Sequence, residues 1–209
     1  MIEGIREARQ RLTPARLGMG WGFSQANINR RAKDSEGNVR LGLNPYGEVD
    51  RRIGLIRIED HEGNPIVLIA NYPVHGTVLG GENSLISGDA PGIVAEYVEQ
   101  EAGAPMLFIN GAAGNLAPIY TSYPNPRAGH LEQFKVLLGD RILRANSSIS
   151  DYSSEVTLQL GEQIIETPAR EGVKWPPDLE RYNSSINGGD ILVRLPVRFL
   201  KINEDIASL

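Results

Sequence analysis

Apolar and polar positions alternate along the first third of the chain in patterns that predict a helix, then a strand, then a loop. In residues 1–11, apolar side chains recur at helical spacing between charged ones, which predicts an amphipathic helix that ends before Pro14. In residues 15–25, apolar residues alternate with glycines, which predicts a strand with small residues on one face. The polar, turn-rich segment 27–46 is expected to run as a long loop over the surface or along a cleft rim.

The middle of the chain carries three apolar runs and one helical pattern. Runs 54–59 and 66–71 are separated by a strong turn signal and are predicted to form a hairpin. The second run is almost wholly apolar, so it is expected to be a central strand covered on both faces. Asp89 is expected to cap a helix over 89–103, and a buried strand is predicted at 106–109. A helical crossover between two strands favours their pairing in one sheet.

The last third of the chain changes from helical to strand-like periodicity. Residues 131–145 have apolar side chains at helical spacing and are predicted to form a second amphipathic helix. Segments 156–160 and 191–202 alternate like strands, and a long loop is expected over 167–190 between them. The predicted fold class is therefore α/β, with a mixed β-sheet, flanking helices and a β-rich C-terminal part, and no segment of 1–209 is a convincing interdomain linker.

Composition excludes several classes of function. The 209 residues are 41% hydrophobic and include 23 Gly and 13 Pro, as in a folded, loop-rich domain. Because 26 acidic residues outnumber 21 basic ones, giving a net charge of -5, binding to nucleic acid is not expected. Cysteine is absent, which excludes disulfides, thiolate zinc sites and cysteine nucleophiles. No apolar stretch approaches the roughly 20 residues of a membrane span, and the first segment is too charged for a secretory leader.

The three histidines of the chain differ in their surroundings. His61 lies in the predicted hairpin turn and His130 lies just before a helix, so both are expected to be surface residues. His75 follows an apolar strand and precedes Gly76 and a polar loop, the place where α/β sheets expose side chains to ligands. A hydrogen-bonded core histidine explains this position equally well.

Two other arrangements suggest chemistry less strongly. Loop 110–118 contains glycines that free backbone amides for a phosphate, but it lacks the spacing of a phosphate-binding motif. A glycine-rich turn that lets the chain pass close to a neighbour is the favoured interpretation. Ser87, Asp89 and His75 are a conceivable nucleophile, acid and base, yet no Gly-x-Ser-x-Gly elbow supports them and Asp89 suits a helix cap.

Four segments in fixed order carry a family resemblance: Asn-Ile-Asn-Arg at 27–30, Asn-Tyr-Pro-Val-His-Gly-Thr at 71–77, Asn-Ser-Leu-Ile-Ser-Gly-Asp-Ala-Pro-Gly at 83–92, and Phe-Ile-Asn-Gly-Ala-Ala-Gly-Asn-Leu-Ala-Pro at 108–118. Together they resemble the N-terminal catalytic domain of the neutral/alkaline non-lysosomal ceramidase family, over nearly all of the chain. The resemblance implies hydrolysis of the amide of ceramide at a zinc ion. Zinc polarises the carbonyl and lowers the pKa of its bound water, the expected attacking group, to about 7.

The resemblance also implies roles for individual residues. His75 resembles the family's second zinc-binding histidine, and Arg30 resembles a catalytic arginine that orients or stabilises charge near the substrate carbonyl. Gly114 and Asn115 fall in a segment similar to the family's Gly-Asp-x-Ser-Pro and are expected to bind substrate. Asn115 replaces the aspartate, and Ala117 replaces a serine proposed as nucleophile, which leaves attack by water at the metal as the compatible mechanism.

The remaining expectations depend on how many zinc ligands the chain contains. The family's first zinc ligand belongs to a His-x-His-Ser motif upstream of this chain, and its glutamate and tyrosine ligands lie downstream. A catalytic zinc needs about three protein ligands, so 1–209 is expected to be an incomplete ceramidase-like catalytic domain that holds the metal poorly and exposes an unpaired sheet edge. The alternatives are a degenerate, non-catalytic binding domain and an unrelated serine hydrolase using Ser87 and His75.

The resemblance finally implies partners and a location. The expected substrate is a lipid or a small-molecule amide, and the full-length protein is expected to associate with a membrane surface. Family members of this kind are secreted or held at the cell surface.

Overall fold

A computed structural model describes residues 2–81, 83–120, 130–169, 184–187, 190–203 and 206–208. The chain divides into two compact units, Met1–Ser154 and Glu155–Leu209. Whether both belong to one incomplete catalytic domain stays a prediction. Among the described residues, no helix has the length and apolar character needed to cross a membrane.

The elements of the first unit follow the predicted order of helix, strands and two further helices. In chain order they are α1 (Ile2–Gln10), β1 (Arg16–Phe23), β2 (Asn27–Lys33), β3 (Val39–Asn44), β4 (Arg52–Glu59), β5 (Pro65–Tyr72), α2 (Asp89–Ala102), β6 (Met106–Asn110), β7 (Leu116–Pro118), a π-helical turn (Lys135–Gly139), α3 (Asp140–Ser147) and β8 (Tyr152–Ser153). The second unit contains β9 (Leu158–Pro168), β10 (Ser184–Asn187), β11 (Asp190–Ile202) and β12 (Ile206–Ser208).

Among the described residues of the first unit, five strands form the main sheet in the order β6-β5-β4-β1-β8. Strands β5 and β6 are parallel, and the other pairs are antiparallel. Helix α2 connects the parallel pair, because parallel strands need a crossover connection. The predicted hairpin, the predicted pairing of the two crossover-linked strands and the mixed sheet with flanking helices are all confirmed.

One face of the main sheet packs against α2 and α3 to form the core. Helix α3 approaches β1 closely because the strand turns glycines towards it. A Cβ atom on Gly20 would lie 2.8 Å from the backbone oxygen of Ala145, and one on Gly22 would lie 3.2 Å from the Cβ atom of Ala145. The glycines that weaken the strand signal therefore allow close packing. The largest fully buried apolar side chains of this core are Tyr72, Phe134, Ile53, Leu68, Leu138, Ile142, Val74, Val94 and Val98.

The opposite face of the main sheet is largely open. In β5, burial alternates along the strand, so the expectation that 66–71 is covered on both faces is wrong. The predicted buried strand 106–109 is an edge strand, with Leu107 56% exposed. Trp21 of β1 lies on this open face and is 65% exposed. The apolar runs thus predicted the strands correctly, but they did not show whether one or both faces of the sheet are covered.

The segment 27–46 is a hairpin and not the expected surface loop. Strands β2 and β3 pair antiparallel, and β2 also pairs with β7, so that among the described residues β3, β2 and β7 form a second sheet. The polar residues concealed the strand because two of them are buried: the side chains of Asn27 and Asn29 bond to backbone carbonyls. Buried asparagine side chains interrupt the alternation of apolar and polar residues by which a strand is predicted from sequence.

Two hairpin turns share the sequence Asp-x-Glu-Gly-Asn, at 34–38 and 60–64. In each, one aspartate oxygen accepts the backbone N–H groups two and four residues later. The glycine adopts a left-handed conformation, with φ of 86° at Gly37 and 91° at Gly63. The four residues that the two sequences share therefore build both the β2–β3 and the β4–β5 turns.

The second unit is built from strands, as the predicted β-rich C-terminal part requires. Strands β9 and β11 pair antiparallel over their whole lengths, from Leu158 opposite Ile202 to Pro168 opposite Leu192. The predicted loop 167–190 is partly wrong, because β9 continues to Pro168 and β10 pairs with β11. Residues 170–183 and 188–189 of that prediction lie outside the described residues.

Candidate functional site

The loops that follow β5 and β6 lie side by side because the two strands are parallel neighbours. The side-chain oxygen of Asn110, at the end of β6, accepts the backbone N–H of Val74 at 3.1 Å. Gly111 passes so close to the other loop that a Cβ atom there would lie 3.1 Å from Pro73. The glycine-rich turn thus allows a close approach, as its favoured interpretation predicted.

His75 projects from the loop after β5 and is half-buried. Its Nδ1 lies 2.9 Å from the backbone oxygen of Leu116. Because a carbonyl oxygen only accepts hydrogen bonds, the neutral imidazole carries its proton on Nδ1 and its lone pair on Nε2. Metal-binding histidines are commonly held in this way, with one nitrogen on a carbonyl and the other on the metal.

Arg30 reaches the same segment from β2. Its backbone N–H donates to the oxygen of Asn115 at 2.8 Å, and its Nε and Nη2 lie 3.4 and 3.2 Å from the oxygen of Gly114. Nη2 of Arg31 donates to the same Gly114 oxygen at 3.1 Å. The structure therefore brings the four predicted site residues His75, Arg30, Gly114 and Asn115 together around one short segment.

The residue at position 117 is buried in the second sheet. Ala117 is buried in β7 and pairs with Ile28 of β2, between Leu116 and Pro118. The methyl side chain supplies no hydroxyl group at this place.

Two buried asparagines that sequence reasoning left without a role connect the site to its surroundings. Nδ2 of Asn27 donates to the oxygens of Asp50 and Pro73, at 2.8 and 2.7 Å. Nδ2 of Asn29 donates to the oxygen of Glu48 at 3.0 Å. One signal was available, since both asparagines fall within the segment 27–30 that resembles the family, from which only the arginine received a role.

A pocket of about 460 Å³ lies beside the segment that holds His75 and Arg30. Its wall contains the acidic residues Glu48 and Asp50 and the basic residue Arg52. The hydrogen bond from the Arg52 side chain holds the pKa of Asp50 below its ordinary value. Asp50 is therefore ionised at neutral pH. The residues lining the pocket are Glu48, Val49, Asp50, Arg52, Ala112, Asn115 and Leu116.

Tyr72, at the end of β5, is fully buried beneath the site. Its hydroxyl donates to the oxygen of Ser24 at 3.0 Å. Burial raises its pKa to about 12, because the phenolate would lose its hydration. Tyr72 is thus a neutral hydrogen-bond donor at any physiological pH.

The residues around His75 fit one ligand of a zinc site but not a whole site. The imidazole has the tautomer and the carbonyl partner that a zinc ligand needs. Within the described ranges, no group of three or more His, Cys, Asp or Glu side chains is arranged to hold a metal ion. This part of the chain therefore offers a single ligand where a catalytic zinc needs about three.

The serine-hydrolase alternative finds no support in the contacts of Ser87. Its hydroxyl accepts the backbone N–H of Asp89 at 3.0 Å, and no hydrogen bond among the described residues joins it to His75. The carboxylate of Asp89 bonds to backbone N–H groups and is not a partner of the imidazole.

The other two histidines lie outside this cluster. His61 is exposed in its turn, as expected. His130 was expected at the surface, but it is half-buried and stacks on Tyr120 with 5.6 Å between ring centroids. Both of its ring nitrogens are buried without a hydrogen-bond partner in the described part of the chain.

The fold matches that of a solved enzyme structure. Superposed on the crystal structure of neutral ceramidase from Pseudomonas aeruginosa, this chain aligns over 96% of its length and 40% of that chain, with a TM-score of 0.66. The sequence identity in that alignment is 18%, so the match defines the fold class.

The sequence then identifies the family. The model of "Neutral/alkaline non-lysosomal ceramidase, N-terminal" matches residues 1–114, and the chain belongs to this family. Neutral ceramidase A of Dictyostelium discoideum is 34% identical over 107 residues, which are 49% of this chain and 15% of that protein. Neutral ceramidase of Pseudomonas aeruginosa is 30% identical over 123 residues, 56% of this chain and 18% of that protein. The matches thus span less than one fifth of the length of these relatives.

Proposed function

We propose that this chain forms part of the active site of a zinc-dependent amide hydrolase that acts on ceramide or a related N-acyl lipid. Membership of the ceramidase family supports the substrate class. The observation that carries the proposal is the hydrogen bond between Nδ1 of His75 and the oxygen of Leu116, which leaves Nε2 available to a metal.

In this proposal, His75 supplies one of the zinc ligands. The bound zinc provides Lewis acidity towards the amide carbonyl and lowers the pKa of water. The backbone oxygen of Leu116 keeps the imidazole in one tautomer and one orientation.

Arg30 and Asn115 have separate tasks at the substrate. Two nitrogens of the Arg30 guanidinium rest on the Gly114 oxygen, which holds the positive charge at the edge of the segment and leaves Nη1 for the substrate. That charge orients the amide and stabilises the negative charge that develops on its oxygen. Asn115 lines the pocket, where its neutral amide binds polar groups of the substrate. Ala117 provides no nucleophile, so water attacks the carbonyl.

The first prediction concerns the metal. In the full-length protein, His75→Ala should lower the bound zinc by about tenfold or more and abolish hydrolysis of a fluorescent N-acyl sphingosine, because a ligand is lost. Zinc is measured by mass spectrometry after gel filtration. The matched control, His61→Ala, removes an exposed histidine and should change neither quantity. Full zinc content and full activity in the His75 variant would refute the proposal.

A degenerate, non-catalytic binding domain is the second candidate. It is favoured by the lack of a three-ligand group within the described ranges and by the alanine at position 117. This candidate predicts that the wild-type full-length protein binds the N-acyl lipid with no zinc and no release of fatty acid. The same assay therefore separates the two functions.

A further inference from the structure

Asp89 has a left-handed backbone conformation although it is not a glycine. Its φ is 52°, and the residue is only 8% exposed at the start of α2. Residues with a Cβ atom rarely adopt this conformation, and Asp and Asn adopt it most often because their short side chains make stabilising bonds to nearby backbone groups.

The carboxylate of Asp89 provides those interactions. Its Oδ1 accepts the backbone N–H groups of Val78 and Ala90 at 3.0 and 2.7 Å, and its Oδ2 accepts that of Leu79 at 2.9 Å. The sequence predicts that Asp89 caps the helix, but the N-cap of α2 is Gly88 and no side chain caps it; the bond to Ala90 joins consecutive residues. The other two bonds reach outside the helix, into the segment that directly follows His75.

The contact with that segment begins immediately after the histidine. A Cβ atom on Gly76 would lie 3.4 Å from the Cβ atom of Asp89, so the Gly76 backbone rests against the aspartate side chain. Asp89 therefore holds residues 76–79 by one packing contact and two charge-assisted hydrogen bonds, which are stronger than neutral ones.

The chain before His75 is held in a comparable way. Asn110 accepts the N–H of Val74, and Asn27 donates to the oxygen of Pro73. The backbone of His75 is thus fixed from both sides, and its short side chain can keep Nδ1 on Leu116. Without the downstream anchor at Asp89, the loop would gain freedom and the imidazole would lose its fixed orientation.

We infer that Asp89 is a positioning residue that acts through residues 76–79 to hold the imidazole of His75 in its Nδ1–H tautomer. The inference rests on the proposed function insofar as that function makes His75 a site residue. The claim that Asp89 fixes the orientation of His75 does not depend on zinc or on hydrolysis.

Nitrogen NMR of the ¹⁵N-histidine-labelled full-length protein tests this inference. Nitrogen shifts of a neutral imidazole ring report the ratio of its Nδ1–H to its Nε2–H tautomer, and the protein is first treated with a chelator because a metal on Nε2 would itself fix the tautomer. The variant His75→Gln assigns the His75 signals. Asp89→Gly, which tolerates the left-handed backbone but lacks the carboxylate, should lower the His75 ratio by about threefold or more. Asp89→Asn keeps an acceptor for Val78 and Ala90 and should restore part of the ratio.

Asp140→Ala is the matched control, because Asp140 also begins a helix and the substitution removes a carboxylate that accepts the Tyr97 hydroxyl at 2.8 Å. It should lower the melting temperature without changing the His75 tautomer. If Asp89→Gly lowers the melting temperature but leaves the tautomer ratio unchanged, Asp89 only stabilises the fold and the inference fails. If Asp89→Gly does not fold, an unchanged ratio in Asp89→Asn overturns the inference, and a lowered one supports it.

The test separates this inference from the proposed function. A wild-type protein without zinc or hydrolysis would refute the proposed function and leave the tautomer comparison valid. In the chelator-treated protein, a tautomer ratio that does not respond to Asp89 would refute positioning, whether or not the untreated protein is an active zinc enzyme.

Discussion

Single polar side chains hold the backbone around the site. Asn27, Asn29, Asn110 and Asp89 each bond to main-chain groups of a loop rather than to other side chains. A buried main-chain group that loses its partner costs free energy, so each of these side chains stabilises one loop conformation.

A buried ion cluster lies at the end of β4. Glu59 is 2% exposed, and its two oxygens pair with Arg16 at 2.6 Å and with Arg57 at 2.7 Å. The Arg16 guanidinium also lies over the ring of Tyr152, 4.8 Å from its centroid. The cluster links β1, β4 and β8 across the sheet.

Removing Glu59 should therefore be costly. We expect Glu59→Ala to lower the free energy of unfolding by about 3–5 kcal/mol, because two partly buried guanidinium groups lose their counter-charge. The control is Glu162→Ala, which breaks an exposed pair with Arg198 at 2.6 Å and should change stability little. Urea unfolding followed by circular dichroism measures both. Equal losses in the two variants would contradict the assigned role of burial.

At the scale of elements, β1 combines two different faces. Gly20 and Gly22 meet α3, while Trp21 and the other large side chains of the strand point to the open face. Alternation with a period of two makes this division, since successive side chains of a strand point to opposite faces. The approach of α3 thus depends on residues that have no side chain.

Adding one methyl group to β1 tests how closely α3 packs against the strand. Gly20→Ala would place a Cβ atom 2.8 Å from the backbone oxygen of Ala145, and we expect it to destabilise the protein by about 1–3 kcal/mol. Gly54→Ala is the control in the neighbouring strand, where the nearest atom would be 3.6 Å away, on Trp21. It should be close to neutral. Thermal unfolding of both variants decides, and a neutral Gly20 variant would mean that α3 shifts without cost.

At the scale of the whole molecule, the first unit leaves an apolar sheet face and an edge strand uncovered within the described residues. Leu107 lies on both, since β6 is the edge and the side chain is 56% exposed. Exposed apolar patches and unpaired edges promote association. The second unit, considered by itself, is a sheet of long antiparallel strands.

Residues 1–209 expressed by themselves should consequently self-associate. We expect light scattering to detect oligomers or aggregates, and Trp21→Lys with Leu107→Lys to reduce them without lowering the melting temperature, because both side chains are exposed. Ile86→Lys, which replaces an exposed residue of the loop before α2, is the control and should leave association unchanged. A monodisperse wild-type monomer would contradict this prediction.

Sequence periodicity determined the elements and part of their pairing, because it is a local property of the chain. It predicted both core helices, the β4–β5 hairpin and the pairing of β5 and β6 in one sheet, and the four motifs selected His75 and Arg30. It did not predict the β2–β3 hairpin, whose buried asparagines look like loop residues until their backbone partners are known.

Only the tertiary structure decided what each site residue touches. Nδ1 of His75 meets an oxygen 41 residues further along the chain, and Asp89 reaches back by 11 residues to Val78. Such contacts depend on strand order and on which loops become neighbours. The sequence determines these contacts only through the free energy of the whole fold. His75 was therefore recognisable from its motif, whereas the residues that hold it were not.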